Sequence, residues 1–346
     1  FSSTQLNILP LWQINSSKDS SISLYRKNVL HIIVERFTLL GILCMTKGET
    51  TMDDFKPFDV MGKTALVTGG STGIGKACAM ALARSGADVA ISARSQSAGE
   101  YTTELLRDLG VDSFFIPCDV SDKDQVKAMM EAVISRFGRL DIAVNSAGIG
   151  PRETGIEQSS QDWERVIGIN LTGTWLCAQA QARQMSDQTP KGGKIINIAS
   201  AAARTASDNS SYCAAKAAVV HLTRSLAMQL EGSNINVNSI SPGVFMTKLV
   251  ADYSVKFRER LREITPAGYI ARPQDISGAV LFLASSASDF VTGHDLLMDG
   301  GRTLSTSIEP LQRQASPRIS ISEELLDMKT DLDTLAIAYD ENGVLI

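Results

Sequence analysis

Tyr212 and Lys216 stand four residues apart in Ser210-Ser211-Tyr212-Cys213-Ala214-Ala215-Lys216, at the head of an apolar run that continues to Leu230. On a helix that spacing puts both side chains on one face. A phenol ionises near pH 10, too high for easy proton exchange at neutrality. An ammonium roughly 4 Å away, at an effective dielectric of about 20, favours the phenolate by about 4 kcal/mol, or roughly three pKa units. Such a pair can work as a general acid and base. Alone, the same pattern also describes a packed tyrosine beside a solvated lysine, so its companions have to decide.

A second chemical signature lies upstream. Gly69-Gly70-Ser71-Thr72-Gly73-Ile74-Gly75 separates the apolar stretch KTALVT (63–68) from KACAMALARSG (76–86). Glycines between a strand and a helix let the backbone turn tightly and approach a phosphate, and the helix N-terminus offers free N–H groups and a positive dipole end. The spacing is TGxxxGxG rather than GxGxxG. By itself it is also compatible with a purely structural turn.

The elements that must carry these groups follow from the pattern of apolar runs. Strands are expected over 63–68, 88–93, 112–118, 140–145, 194–200, 235–241 and 295–298, each bounded by turn residues. Helices are expected over 76–85, 97–109, 123–137, 161–185, 211–231, 257–264 and 273–284. That alternation predicts an α/β domain with one doubly wound parallel sheet and helices on both faces, spanning about 55–305. The 346 residues, 44% of them hydrophobic, suffice for such a core. A net charge of −5 with no basic stripe argues against nucleic acid. Five cysteines without a CxxC pair and three scattered histidines give no metal-binding spacing, so no metal is expected and the thiols read as reduced and intracellular.

The ends differ in texture. Residues 1–54 are expected to be a disordered extension or upstream sequence, since the chain opens on Phe1 and Met45 and Met52 offer alternative starts. The stretch 28–44 is too short and too charged for a membrane span. The basic, Ser-rich start also fits a mitochondrial transit peptide, against a cytoplasmic reading for the chain without it. Residues 306–346 read as a solvated tail holding a weak acidic helix, with partner docking as the alternative.

The TGxxxGxG loop together with YxxxK resembles the short-chain dehydrogenase/reductase family, over about 58–304. Further positions match in order: Asp119-Val120 after the third strand, Asn145-Ser146-Ala147-Gly148 with Ser in place of the second Asn of NNAG, Asn170 in VIGINLTGTW, Ser200 ending IINIAS, and Pro242-Gly243 with Phe245 and Thr247 as PGxxxT. The resemblance implies a Rossmann-like sheet of about seven strands in the order 3-2-1-4-5-6-7. It also implies hydride transfer between a nicotinamide cofactor and a ketone or secondary alcohol. Tyr212 would be the general acid or base, Lys216 would lower its pKa and hold the nicotinamide ribose, Ser200 would bind the substrate oxygen, and Asn170 would hold a water leading to solvent. Gly69, Ser71, Thr72, Gly73, Ile74 and Gly75 would cradle the pyrophosphate. Asp119 and Val120 would meet the adenine, Asn145, Ala147 and Gly148 would line the cofactor crevice, and Pro242, Gly243, Phe245 and Thr247 would face the carboxamide. One departure stands out: Ser200 precedes Tyr212 by twelve residues, about one fewer than usual, which leaves Ser207 as a rival.

Cofactor choice turns on the end of the second strand. NAD-preferring relatives carry an Asp there, whereas this chain has Ala93-Arg94-Ser95. A guanidinium pairs well with a 2′-phosphate, so NADP(H) is expected over NAD(H). Thr72 stands where many NADP(H)-using relatives have a basic residue, and pulls the other way. The substrate is a small-molecule carbonyl or alcohol, and the branch resembled spans 3-oxoacyl, gluconate/sorbose and polyol enzymes. The alternatives are a polyol or ketose dehydrogenase with the same tetrad and, further off, a non-catalytic dinucleotide-binding regulator. Residues 248–270 fall where the family has its substrate lid, and Arg152 falls at the pocket mouth. The family also implies a homodimer or homotetramer formed through the helices at 161–185 and 211–231.

Overall fold

The stretch TALVT is buried along its whole length, a pattern that only a strand covered on both faces can satisfy. This is β1 (Thr64–Thr68), in a computed structural model that describes residues 56–247, 250 and 254–304. The chain divides into two units, Phe1–Lys56 and Pro57–Ile346, and all described residues except Lys56 belong to the second. The expectations for 1–54 and 306–346 therefore fall outside the described residues, as does part of 248–253.

Seven parallel strands form one sheet in the order β3-β2-β1-β4-β5-β6-β7. They are β1, β2 (Asp88–Ala93), β3 (Ser113–Pro117), β4 (Ile142–Asn145), β5 (Gly193–Ile198), β6 (Ile235–Pro242) and β7 (Asp295–Met298). The helices are α1 (Gly73–Arg84), α2 (Gln96–Arg107), α3 (Lys123–Phe137), α4 (Ser160–Ile167), α5 (Thr174–Asp187), α6 (Ser210–Gln229), α7 (Val255–Glu263) and α8 (Ser277–Ala284). This is the doubly wound Rossmann-like α/β sheet expected.

Side-chain alternation splits the core in two. Ala65, Val67, Val89, Ile91, Ile142, Val144, Ile196 and Ile198 point to the face covered by α1, α2 and α8. Leu66, Ala90, Ala143 and Ile195 point to the face covered by α3, α5 and α6. Because the chain crosses from β3 at one edge back to β4 beside β1, a crevice opens at the carboxyl ends of β1 and β4. In register, Thr68 lies beside Asn145, Asn145 beside Asn197, and Asn197 beside Ser239. The loops leaving these strands all rise from the same edge of the sheet.

Two departures from expectation bear on the site. The helix expected over 161–185 is two helices, α4 and α5, joined by a π-helical turn at Gly168–Gly173. Side chains account for the break. The Asn170 amide donates to the Val166 carbonyl at 3.0 Å, and the Thr174 hydroxyl donates to the Asn170 carbonyl at 2.8 Å, taking over carbonyls a regular helix would use. The fifth strand ends at Ile198, not at Ser200. Ser200 instead caps a short 3₁₀ turn, Ala201–Ala203, its hydroxyl accepting from Ala202 N at 3.2 Å.

Candidate active site

Ser200 and Tyr212 meet. The Ser200 side chain lies near enough to the Tyr212 phenol to favour its ionised form, although eleven residues of loop and helix start separate them. The rival Ser207 is exposed and turned elsewhere, 3.3 Å from Cys213 Sγ and accepting from Asn209 N. One turn further along α6, Lys216 is buried, with its ammonium 5.6 Å from the centre of the Tyr212 ring and donating to the Ile198 carbonyl at 2.8 Å.

The electrostatics differ from the simple expectation. Burial raises the Tyr212 phenol above its usual range, and the nearby Ser200 side chain pulls only partly the other way. Burial also lowers Lys216, to about 8. Lys216 stands over the ring face and is tied to a strand carbonyl, and burial sets the direction at the phenol. The direction at Tyr212 is upward, opposite to what the Lys216 spacing alone predicts.

Asn170 joins the group from the π turn. Its side chain accepts from Ile149 N at 3.2 Å and donates to Ile149 O at 2.9 Å, clamping the loop after β4. Gly148 lies between. A Cβ there would sit 2.7 Å from Asn170 Oδ1 and 3.5 Å from Lys216 Nζ, so only glycine lets the two approach the Asn145–Gly148 segment. That segment in turn presses on the first glycine loop. Gly69 has φ +65°, and a Cβ on it would come within 2.7 Å of Ala147 N. Asn145 itself is buried, and its amide is committed to Gln181 and Asn197, each 2.9 Å away.

The remaining cofactor candidates border this crevice. The N-cap residue Thr72 makes no side-chain cap at the start of α1, and no acid lies in the first turn, which leaves that helix end suited to an anion. Ser71 is buried, and its carbonyl accepts from Thr102 of α2 at 2.9 Å. Thr247 approaches Gly73 over the same helix start, while Phe245 is buried and bridges to Ala271. Gly243 donates to Met298 O at 2.8 Å, and Pro242 closes β6. Val120 is buried against the π turn, and Asp119 Oδ1 accepts from Ser121 N and Oγ. Arg94 and Ser95 are exposed just past β2. Arg94 has no hydrogen-bond or ion-pair partner among the described residues. Gly70 N, donating to Ser92 O at 3.2 Å, holds the glycine loop against that strand end.

A family model described as enoyl-(acyl carrier protein) reductase matches residues 69–303. The D-threitol dehydrogenase of Mycolicibacterium smegmatis is 40% identical over 263 residues, covering 75% of this chain and 100% of that enzyme. The chain belongs to the short-chain dehydrogenase/reductase family. As a short-chain dehydrogenase/reductase it is an oxidoreductase acting on CH–OH groups with NAD(P) as acceptor. The 3-oxoacyl-[acyl-carrier-protein] reductase of Staphylococcus aureus is 37% identical, over 70% of this chain and 98% of that enzyme. A gluconate 5-dehydrogenase from Burkholderia cenocepacia, solved with NADP and tartrate, superposes with a TM-score of 0.68 at 36% identity, covering 72% of this chain and 98% of that one.

The residue-level reading missed the supports behind the site. Gln181, Asn197 and Thr223 extend the buried amide network beneath Asn145. Asp162 and Gln158 tie down the loop after β4, and Arg204 pairs with Asp295 on β7 at 2.8 Å. The available signal was polar residues set inside apolar runs, as with Asn197 in IINIAS and Thr223 in AAVVHLTRSLA. Such residues have to find buried partners.

Proposed function

We propose that this short-chain dehydrogenase/reductase interconverts a ketone and a secondary alcohol with NADP(H), using Tyr212 as general acid in reduction and general base in oxidation. The observation that carries the reading is the buried Lys216 seated over the Tyr212 ring, with Ser200 beside the same phenol. The nicotinamide, when bound, supplies or takes up the hydride. The uncapped start of α1 and the Gly69–Gly75 loop suit the pyrophosphate, and Tyr212 and Lys216 suit the adjoining ribose.

The chain's own groups handle the proton. A phenol held above its usual pKa is protonated at neutral pH and ready to donate to a carbonyl oxygen. Ser200 accepts from Ala202 N, which leaves its own O–H to orient that oxygen and stabilise its developing charge. Lys216, near pH 8, can pass charge back to the phenol. The Asn170 side chain is committed to Ile149 and Val166, so a water joining Lys216 to solvent would be held by its main-chain carbonyl, which has a lone pair beyond the one Thr174 uses.

Tyr212→Phe should lower kcat by about 10²–10⁴ and leave cofactor affinity intact. Stopped assays with NADPH oxidation, alongside a binding titration, check this. Unchanged turnover would remove Tyr212 from the chemistry, and a regulator that only binds dinucleotide would lose nothing.

NADP(H) is favoured because Arg94 is exposed, has no partner among the described residues, and stands next to the strand end that holds the glycine loop. The NADP-bound gluconate 5-dehydrogenase relative points the same way. Arg94→Ala should raise KM for NADPH at least about tenfold while moving KM for NADH little, since a charge-assisted pair is worth roughly 1.5–3 kcal/mol. Equal effects on both cofactors would refute the assignment.

A polyol or ketose substrate is the second reading, favoured by 40% identity to a D-threitol dehydrogenase across that enzyme's full length. A homodimer or homotetramer is proposed through α4–α5 and α6, which leave Trp163, Trp175 and Met228 exposed.

A further inference from the structure

The loop Gly150–Ser159 leads from the segment after β4 into α4, and a single carboxylate gathers it. Asp162 is only 5% exposed. Its Oδ2 accepts from Arg152 N at 2.9 Å, Glu153 N at 3.2 Å and Gln158 Nε2 at 2.9 Å. Its Oδ1 accepts from Arg165 Nε at 3.0 Å and Nη2 at 2.5 Å, and the same guanidinium reaches back to Gly150 O at 3.1 Å. Burial works against the charged carboxylate, but bonds from Gln158, Arg165 and the two amides outweigh it and hold the acid well below the usual carboxylate range.

The same loop grips the helix that carries Tyr212. Gln158 Nε2 also donates to Ser211 Oγ at 2.8 Å, and Gly155 N donates to Asp208 O at 2.7 Å. Ser211 is fully buried and immediately precedes Tyr212. Asn209, the residue before α6, makes no side-chain cap. The first turn of α6 is therefore fixed from outside, by the loop.

We propose that Gln158, held by Asp162, is a positioning residue that sets the first turn of α6 through Ser211, and with it the approach of Tyr212 to Ser200 and the substrate oxygen. The proposal rests on the reading of Tyr212 as the acid–base group. Gln158 touches no reacting atom. It transmits the rigid geometry of the loop to the neighbour of the residue that does.

The test compares Gln158→Leu, Ser211→Ala and the double variant in the full chain. Each single variant should lower kcat about tenfold or more, because a misplacement on the order of 1 Å can cost about a hundredfold. NADPH affinity should stay within about twofold, since the change does not touch the glycine loop. The double variant should be no worse than the worse single one, because both remove one shared bond. The phenol titration of Tyr212 in the cofactor-free protein, followed by ¹³C-tyrosine NMR, should shift in the variants. Ser211→Ala is the smaller change and serves if Gln158→Leu does not fold. A fall in melting temperature with kcat and the Tyr212 titration unchanged would overturn the proposal, as would additive losses in the double variant. If the wild type turns over no carbonyl yet the titration shifts, positioning stands and the reading of the activity falls.

Discussion

Lys216 is the residue on which the site's chemistry and its stability conflict. It carries a charge in a dry place, with only the Ile198 carbonyl as hydrogen-bond partner among the described residues. Its pKa falls to about 8 in the folded protein from an ordinary 10.5, because burial disfavours the ammonium. Between those values the unfolded chain binds the proton and the folded one does not, so unfolding takes up a proton and stability rises with pH across that window. Below about pH 8 both states are protonated and the full cost of burying the charge is felt. Lys216→Met removes this term. The stability of the Met variant relative to wild type should therefore be greatest at pH 7 and decline by about 3 kcal/mol as pH rises toward 10.5, at about 1.36 kcal/mol per pKa unit. Urea unfolding of both proteins at pH 7, 8.5 and 10 measures the difference. A pH-independent gap would mean that Lys216 is not desolvated in solution.

At the scale of elements, the sheet was legible because its strands are buried on both faces and read as continuous apolar runs, TALVT and KIINI among them. Helix ends were legible within two or three residues where a Gly stop was present, as at Gly86 and Gly138. The π turn was not. Gly168–Gly173 has no local signal that distinguishes it from helix, and the turn depends on Asn170 meeting Ile149, a contact twenty-one residues away. The proposed positions Asn170, Ser200, Tyr212 and Lys216 come from family motifs, whereas the tethers around them are tertiary. The Ser200–Tyr212 loop shows why. Arg204 in that loop reaches Asp295 on β7, whose other oxygen accepts from Ser239 and Ser241 at 2.8 and 2.7 Å. That anchor ties the loop between Ser200 and Tyr212 to the last strand, and nothing near Arg204 in the sequence announces its partner. The charge balance of the acid–base pair was illegible for the same reason. Spacing put Lys216 near Tyr212, but burial, a property of the whole fold, set the direction of both pKa shifts.

The whole molecule separates its work between the two edges of one sheet. The proposed site residues gather at the carboxyl edge of the sheet, with Asn170 joining them from the π turn between α4 and α5, while the amino edge holds a different polar cluster. There Asp141, just before β4, accepts from Thr64 N at 3.1 Å and Thr64 Oγ1 at 3.2 Å with one oxygen. Its other oxygen takes Arg139 Nε and Nη2 at 2.9 and 2.8 Å. The cluster pins the start of β1 to the start of β4, the two strands whose far ends frame the crevice. A surface hollow of about 540 Å³ opens beside it, lined by Phe137, Arg139, Asp187 and Gln188 among others. The buried amide there is already committed to Leu140 N, Leu140 O and Gly192 O. Size alone does not make that hollow a site, because the buried Gln188 amide beside it is already engaged. Asp141→Ala would leave the Thr64 amide short of an acceptor, while the hydroxyl keeps the Arg139 carbonyl at 3.0 Å, and should cost about 1–3 kcal/mol of stability. Because β1 and β4 remain paired along their length, the far edge should hold its geometry: kcat and both KM values should stay within about twofold of wild type at temperatures where the variant is folded. Denaturant melts alongside steady-state kinetics decide it. A large loss of kcat in folded Asp141→Ala would mean that the two edges are coupled, and that crevice geometry depends on how the strands begin as much as on how they end.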